Sequence, residues 1–356
     1  MEFSDLFLGP VPWVAKKRKR ISLKSRVVCT LFHTYRNLSF FPYLSTIQSQ
    51  QKKEITNKLS VLSHKGGLKT VFPLEFLNDN ELNVLRERLL VPDALWQSFE
   101  EQNREMLKDI SLMISKEGKS SILTNFKEHL TYSCYHPGLA SKAANLQMTK
   151  NISDILTHET WSFDPQFGYL NADPKNTGSA FKVSALVHFP GAQFQRQQDL
   201  LINALNAINS HGMSIGDFTG KGGLIWLTSK SSLGYSEQEI FEEFIHTLSK
   251  FLELEEEMES EMYRTDQNKI EDSIFRSFYL LKSARILPFE EFLELCSWTK
   301  LGIYLKLLNP KMLELLDLLM VRTNNGHMHV TESQEQSLYE LDIMRATMVR
   351  VTLQEY

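Results

Sequence analysis

The chain has 356 residues, 42% of them hydrophobic and 23% charged, with a formal net charge of -4. That length suffices for about two domains with cores of their own, and the mild negative charge argues against bulk attraction to nucleic acid or an anionic membrane. Three scattered cysteines, Cys29, Cys134 and Cys296, form no C-x-x-C pair, which argues against a zinc site or a disulfide framework and fits a reducing cytoplasm.

Residues 1–24 read as an irregular lead-in. Its first apolar run is broken by Asp5, Pro10 and Pro12, so no signal peptide is expected. A basic run follows: Lys16, Lys17, Arg18, Lys19 and Arg20. It suits either a solvated lead-in or a contact with nucleic acid or phosphate. Residues 51–116 look mostly helical, with Leu82, Leu85, Leu89 and Leu90 at helical spacing and Pro92 as a stop. Leu95, Phe99 and Met106 continue a second helix, so residues 25–118 are expected to form a small, mainly helical N-terminal domain.

The texture changes near Ser120. Residues 121–124 and 129–134 read as strands, 139–157 as a helix, 182–189 as a half-buried strand, 196–208 as a helix and 223–229 as a strand. Within 182–189, Val183, Ala185, Val187 and Phe189 share one face, and Ser184, Leu186 and His188 the other. Ser236 and Glu239 form a capping box that opens a long helix, whose acidic far end from Glu253 to Glu259 reads as a solvated face. Helical segments continue to about Arg350. The expected class is α+β: the small helical domain, then a larger domain over 119–356 with a mostly antiparallel sheet flanked by helices, becoming helical from about residue 268. No stretch approaches the ~20 apolar residues of a membrane span.

The histidines His129, His188 and His246 read as packed or surface groups. His327 and His329 lie on one side of a strand-like segment without a visible third ligand. Cys134 reads as a small buried hydrophobe.

The densest local signal is the stretch 167–190, FGYLNADPKNTGSAFKVSALVHFP, a turn-rich loop feeding a strand. Pro174, Asn176 and Gly178 supply turn geometry, and Ser179, Lys182 and Ser184 supply donors and one positive charge. It resembles the stretch W-G-Y-L-T-x-C-P-x-N-x-G-T-G-L-R-A-S-V of ATP:guanidino phosphotransferases, the phosphagen kinase family. In that register Lys182 stands at an ATP-phosphate arginine and Asp173 at the reactive cysteine. Further resemblances keep the family's order: Ser25-Arg26-Val27-Val28 to S-R-x-R, Arg36-Asn37 to a following R-N, residues 87–92 to E-x-H-L-I-S-P, residues 125–130 to N-E-E-D-H-L-R, residues 216–222 to R-G-x-Y-G-E-G, and residues 233–237 to L-G-x-S-E. Asp342 and Arg345 lie in a stretch similar to R-D-x-x-R-A, which in the bacterial protein-arginine kinases belongs to a phosphoarginine pocket. The resemblance favours that branch.

What the resemblance implies is phosphoryl transfer from MgATP to arginine side chains of proteins, in the cytoplasm, with a possible homodimer, and a zinc-finger activator protein and the Clp machinery as partners. Ser25, Arg26, Lys182 and Ser184 would bind ATP, with Asn176, Gly178 and Asp173 in the adjoining loop. Such chemistry needs several fixed cations for the phosphates and a carboxylate to orient and deprotonate the guanidinium. Val28, Thr131 and either Ser214 or Gly216 stand where the family has arginines, and Phe126 and Lys127 where it has its two glutamates. Glu128, one position on, is the remaining candidate base, and a strand residue displaced by one faces the other way unless a bulge re-aims it. Two readings follow. One is a divergent kinase of weak activity. The other is an inactive pseudokinase that binds a partner or reads phosphoarginine.

Overall fold

A computed structural model describes residues 3–14, 21–92, 95, 104–157, 159–194, 213–219, 222–331 and 336–356. The basic run 16–20, the expected helix 196–208 and most of the one expected through Leu95 and Phe99 lie outside them. Ten strands are formed among the described residues: β1 Val27–Arg36, β2 Thr70–Pro73, β3 Ser111–Ile114, β4 Ser120–Phe126, β5 Glu128–Pro137, β6 Phe163–Asp164, β7 Gly168–Tyr169, β8 Phe181–His188, β9 Met213–Thr219 and β10 Leu224–Ser229. Eight of them make one sheet in the order β2-β3-β4-β5-β1-β8-β10-β9, antiparallel throughout. The short pair β6–β7 stands apart.

The segment 25–118 differs from its expected helical character. It supplies β1, β2 and β3, and β1 lies between β5 and β8 near the centre of the sheet. The physical reason is burial on both faces. Val27 to Phe32 are all buried, so the strand reads as a continuous apolar run with no alternation to betray it. No break at residue 118 divides the sheet.

The helices are α1 Phe3–Leu8, α2 Ser49–Lys65, α3 Asp79–Glu87, α4 Lys142–Leu156, α5 Pro190–Phe194, α6 Glu237–Thr265, α7 Gln267–Ser283, α8 Phe289–Tyr304, α9 Met312–Arg322, α10 Asn325–Thr331 and α11 Leu338–Leu353. On one face of the sheet, Phe32, Leu130, Val183, Ala185 and Val187 share a core with Ile55 and Leu59 of α2, Ile152 of α4 and Phe244 of α6. Each large apolar side chain there contributes about 1.5–3 kcal/mol by leaving water. On the other face, Cys29, Leu31, Leu186 and Leu224 share a core with Phe292 and Cys296 of α8 and Met312 of α9. The predicted alternation in β8 is therefore real, but the strand is buried on both faces and not half-buried as expected.

Ser236 caps α6 as expected: its Oγ accepts from the Glu239 N–H at 3.3 Å, and Glu239 Oε2 accepts from the Ser236 N–H at 2.8 Å. The acidic end of α6 is not all solvated. Glu255 and Glu259 are buried, Glu255 accepting from the Gly191 and Ala192 N–H groups and Glu259 pairing with Arg26. Burial and the neighbouring Glu259 push the Glu255 carboxyl well above its usual range. His327 and His329 sit in helix α10, not in a strand, and His327 Nδ1 meets Glu87 at 2.7 Å. Glu87 also accepts the Gly326 and His327 N–H groups at 2.8 and 2.9 Å, which fastens α10 to α3.

Candidate active site

The sheet face not covered by α2, α4 and α6 carries a cleft of about 260 Å³. Register builds its floor. His33 lies opposite Lys182 on β8 and Ser133 on β5, Tyr35 opposite Thr131, and Leu31 opposite Ser184, which in turn faces Thr228 of β10. Ser184 and Thr228 share a hydrogen bond of 2.9 Å between their hydroxyls. The wall comes from Leu89, Leu90, Val91 and Pro92, with Leu89 in the left-handed region at φ 62°. The Tyr135 hydroxyl donates to the Leu89 carbonyl and holds that turn against the sheet.

The β4–β5 hairpin forms the far rim. Asn125 and Lys127 both adopt left-handed backbone, at φ 58° and 62°, so the chain reverses with Phe126 paired to Glu128. Asn125 locks this turn by donating from Nδ2 to the carbonyls of Asp109 at 2.9 Å and Lys52 at 3.0 Å. Phe126 and Lys127 line the cleft, but Glu128 does not. Its side chain is fully buried and shares the helix-covered face with Leu130 and Tyr132. Glu128 Oε2 accepts from Asn37 Nδ2 at 2.6 Å and the Ala172 N–H at 3.0 Å, and Oε1 from the Asp173 N–H at 3.3 Å. The bulge that would re-aim it is not there. Glu128 anchors the loop 168–178.

That loop is closely fitted. Gly178 has φ +109°, and a Cβ on it would lie 2.3 Å from the Ser232 carbonyl oxygen. Asn176 is buried, and its carbonyl accepts from Asn171 Nδ2 at 2.7 Å. Asp173 is exposed and spends its carboxylate on the Lys175 N–H at 3.0 Å.

The phosphate-binding candidates separate. Ser184 is on the floor, and Lys182 lies beside it, with its ammonium 5.8 Å from the centre of the Tyr35 ring. Burial lowers the Lys182 pKa, partly offset by Asp173. Arg26 is elsewhere. It precedes β1, is buried, donates Nε to Glu259 Oε1 at 2.9 Å and lies 4.7 Å from the centre of the Tyr304 ring. Ser25 is buried next to it, with Oγ accepting from the Ser22 N–H at 3.0 Å. Ser25 and Arg26, expected on the phosphates, therefore do not line the cleft. The β1 residues on the cleft face are Leu31, His33 and Tyr35, which the sequence reading passed over because nothing in a hydrophobic strand marked them. Trp226 and Thr228 were missed likewise. His33 is not a substitute cation: burial, then the nearby Lys182 charge, lowers its pKa to about 4.

Asp342 and Arg345 are together, at 2.6 Å, but Arg345 is fully buried and makes four hydrogen bonds within the protein, one of them to Asp342. Nε goes to the Thr323 carbonyl, Nη1 to that of Leu287 and Nη2 to Asn325 Oδ1, at 2.8, 2.8 and 2.6 Å. Arg345 braces the C-terminal helices rather than opening a pocket. Cys134 is half-buried, its thiol pushed up to about 11 by burial.

Magnesium triphosphate needs several converging cations. The described residues of this cleft offer Arg86 and Lys127 on its walls and Lys182 beside its floor, amid Leu31, Leu89, Leu90, Val91, Leu123, Phe126 and Trp226. No carboxylate is among the described residues lining it. These residues do not fit MgATP, nor a base for an arginine acceptor.

A central antiparallel sheet with helices over one face and a helical C-terminal part defines a mixed α and β protein of the phosphagen kinase class. A crystal structure of lombricine kinase matches it with a TM-score of 0.53 at 16% identity, over 71% of this chain and 72% of that one. The family model for the ATP:guanido phosphotransferase C-terminal catalytic domain matches residues 50–258, and the chain belongs to that family. The model for the protein-arginine kinase McsB C-terminal domain matches residues 267–356. The protein-arginine kinase of Pelotomaculum thermopropionicum is 28% identical over 334 residues, 91% of each chain. That of Caldanaerobacter subterraneus subsp. tengcongensis is 26% identical over 340 residues, 93% of this chain and 97% of the relative.

Proposed function

We propose that this chain is a pseudokinase of the protein-arginine kinase branch: it keeps the family's fold, has lost phosphoryl transfer, and works by binding a protein partner. The observation that carries the reading is Glu128, the last candidate base, whose two carboxylate oxygens are buried and occupied by Asn37, Ala172 and Asp173. The neutral His33, the few and separated cations (Arg86 and Lys127 on the walls, Lys182 beside the floor) and the apolar residues of the lining support it. Removing one preorganised donor already costs about 10²–10³ in rate. Losing several, together with the base, leaves no route to turnover. The relatives' activity directs the choice of partner toward proteins that carry arginine or phosphoarginine, within the cytoplasmic protein-quality-control setting of a zinc-finger activator and the Clp machinery. No helix among the described residues is long and apolar enough to cross a membrane.

The test is γ-phosphate-labelled MgATP with an arginine-rich acceptor protein, alongside thermal unfolding with millimolar MgATP. A ligand that binds only the native state raises the unfolding temperature. The expected outcome is no label and no rise. Acid-labile phosphate on arginine that disappears in Lys182→Ala would establish the kinase reading instead.

A further inference from the structure

A second cavity, of about 370 Å³, opens on the helix-covered side of the sheet. It lies where the end of β1 meets α4, the segment before β7 and the start of α6. That volume is at the small end of ligand sites, which run from about 300 to 1,000 Å³. Its walls carry one guanidinium, Arg36, and two carboxylates, Glu159 and Glu237, and neither carboxylate pairs with Arg36 among the described residues. Arg36 is buried, with its guanidinium stacked 3.4 Å over the Tyr169 ring. Nη1 donates to the Tyr35 carbonyl at 2.8 Å, while Nε has no hydrogen-bond partner among the described residues. Glu237, the first residue of α6, is half-buried on the same cavity and acts on Arg36 through space, without an ion pair among the described residues. The other carboxylate there, Glu159, reaches Lys58 at 3.6 Å.

A buried guanidinium with an idle donor carries a cost that a charged acceptor removes. A simple anion would satisfy Arg36 but would face Glu237. A molecule with both charges satisfies both, and Ile152, Leu156 and Trp161 offer it an apolar wall. We infer that this cavity binds a small zwitterionic amino acid, its carboxylate on Arg36 and its ammonium toward Glu237. The site is independent of the cleft on the opposite face of the sheet.

The full chain, labelled with ¹⁵N-tryptophan, provides the readout. The Trp161 indole N–H, bonded to the Leu156 carbonyl at 2.7 Å, is assigned by its loss in Trp161→Phe. Individual L-amino acids are titrated, with propionate and propylamine as half-ligands. The expected result is a saturable shift of the Trp161 signal by at least one amino acid. Binding should weaken about tenfold or more for either half-ligand and in Glu237→Gln, because each removes one charge-assisted contact. Arg36→Lys, which keeps the charge but loses the planar fork, should weaken it also. Failure of every amino acid to produce a saturable shift would mean that the cavity holds only water, and unchanged affinity in Glu237→Gln would equally overturn the assignment.

Discussion

Replacing Glu128 separates an anchor from a catalytic base. In Glu128→Ala, the N–H groups of Ala172 and Asp173 lose their acceptor, and Asn37 Nδ2 loses one of three, keeping Asn171 Oδ1 at 3.1 Å and the Leu170 carbonyl at 3.3 Å. Hydrogen bonds to a charged group contribute about 1.5–3 kcal/mol each, and stranded buried donors cost a similar amount, but the contributions are not additive. Because Ala172 and Asp173 are exposed and can turn to water, the expected loss is about 3–5 kcal/mol. With an unfolding entropy of about 2.1 cal/mol/K per residue, 356 residues give roughly 0.75 kcal/mol/K, so the unfolding temperature should fall by about 4–7 °C. Urea denaturation measures the free energy, and amide exchange at Ala172 and Asp173 should accelerate specifically. A Glu128→Ala protein within about 1 kcal/mol of the parent, with unchanged exchange at those amides, would refute the anchoring role and return Glu128 to the list of possible bases.

Other perturbations follow from the same structure. His33 has a depressed folded pKa of about 4 against about 6.5 unfolded, so it contributes stability above pH ~6.5 that is lost as pH falls toward 4; His33→Gln should flatten that part of a stability–pH curve. Gly178→Ala forces a Cβ against the Ser232 carbonyl from a left-handed backbone and should cost at least about 2 kcal/mol, read by urea unfolding. Arg26→Ala leaves Glu259 buried and unpaired and should cost about 3–5 kcal/mol, whereas the double variant Arg26→Met, Glu259→Leu should recover most of it, in a double-mutant cycle.

Part of this was legible because it was written locally. The alternation of β8 put Ser184 on the cleft face and Val183 in the core, and Ser236 with Glu239 announced the start of α6. The order of short motifs across the chain was enough to suggest the family. What escaped was set by distant or silent partners. β1 is apolar on both faces, so His33 and Tyr35 carried no periodic signal. Arg345 is held by two backbone carbonyls, which have no sequence signature, as well as by Asp342 and Asn325, and Arg26 by a glutamate 233 positions away. A matching letter in a motif located those arginines in the chain, but only packing shows where their charge goes.

Strand β1 also ties the two cavities to a single ruler. Its odd-numbered residues His33 and Tyr35 belong to the cleft, and Arg36, next in line, belongs to the cavity behind. Inserting one residue early in this strand would exchange the contents of front and back together, placing the Tyr35 hydroxyphenyl group where the Arg36 guanidinium now sits. Neither surface is therefore free to drift in register without remaking the other.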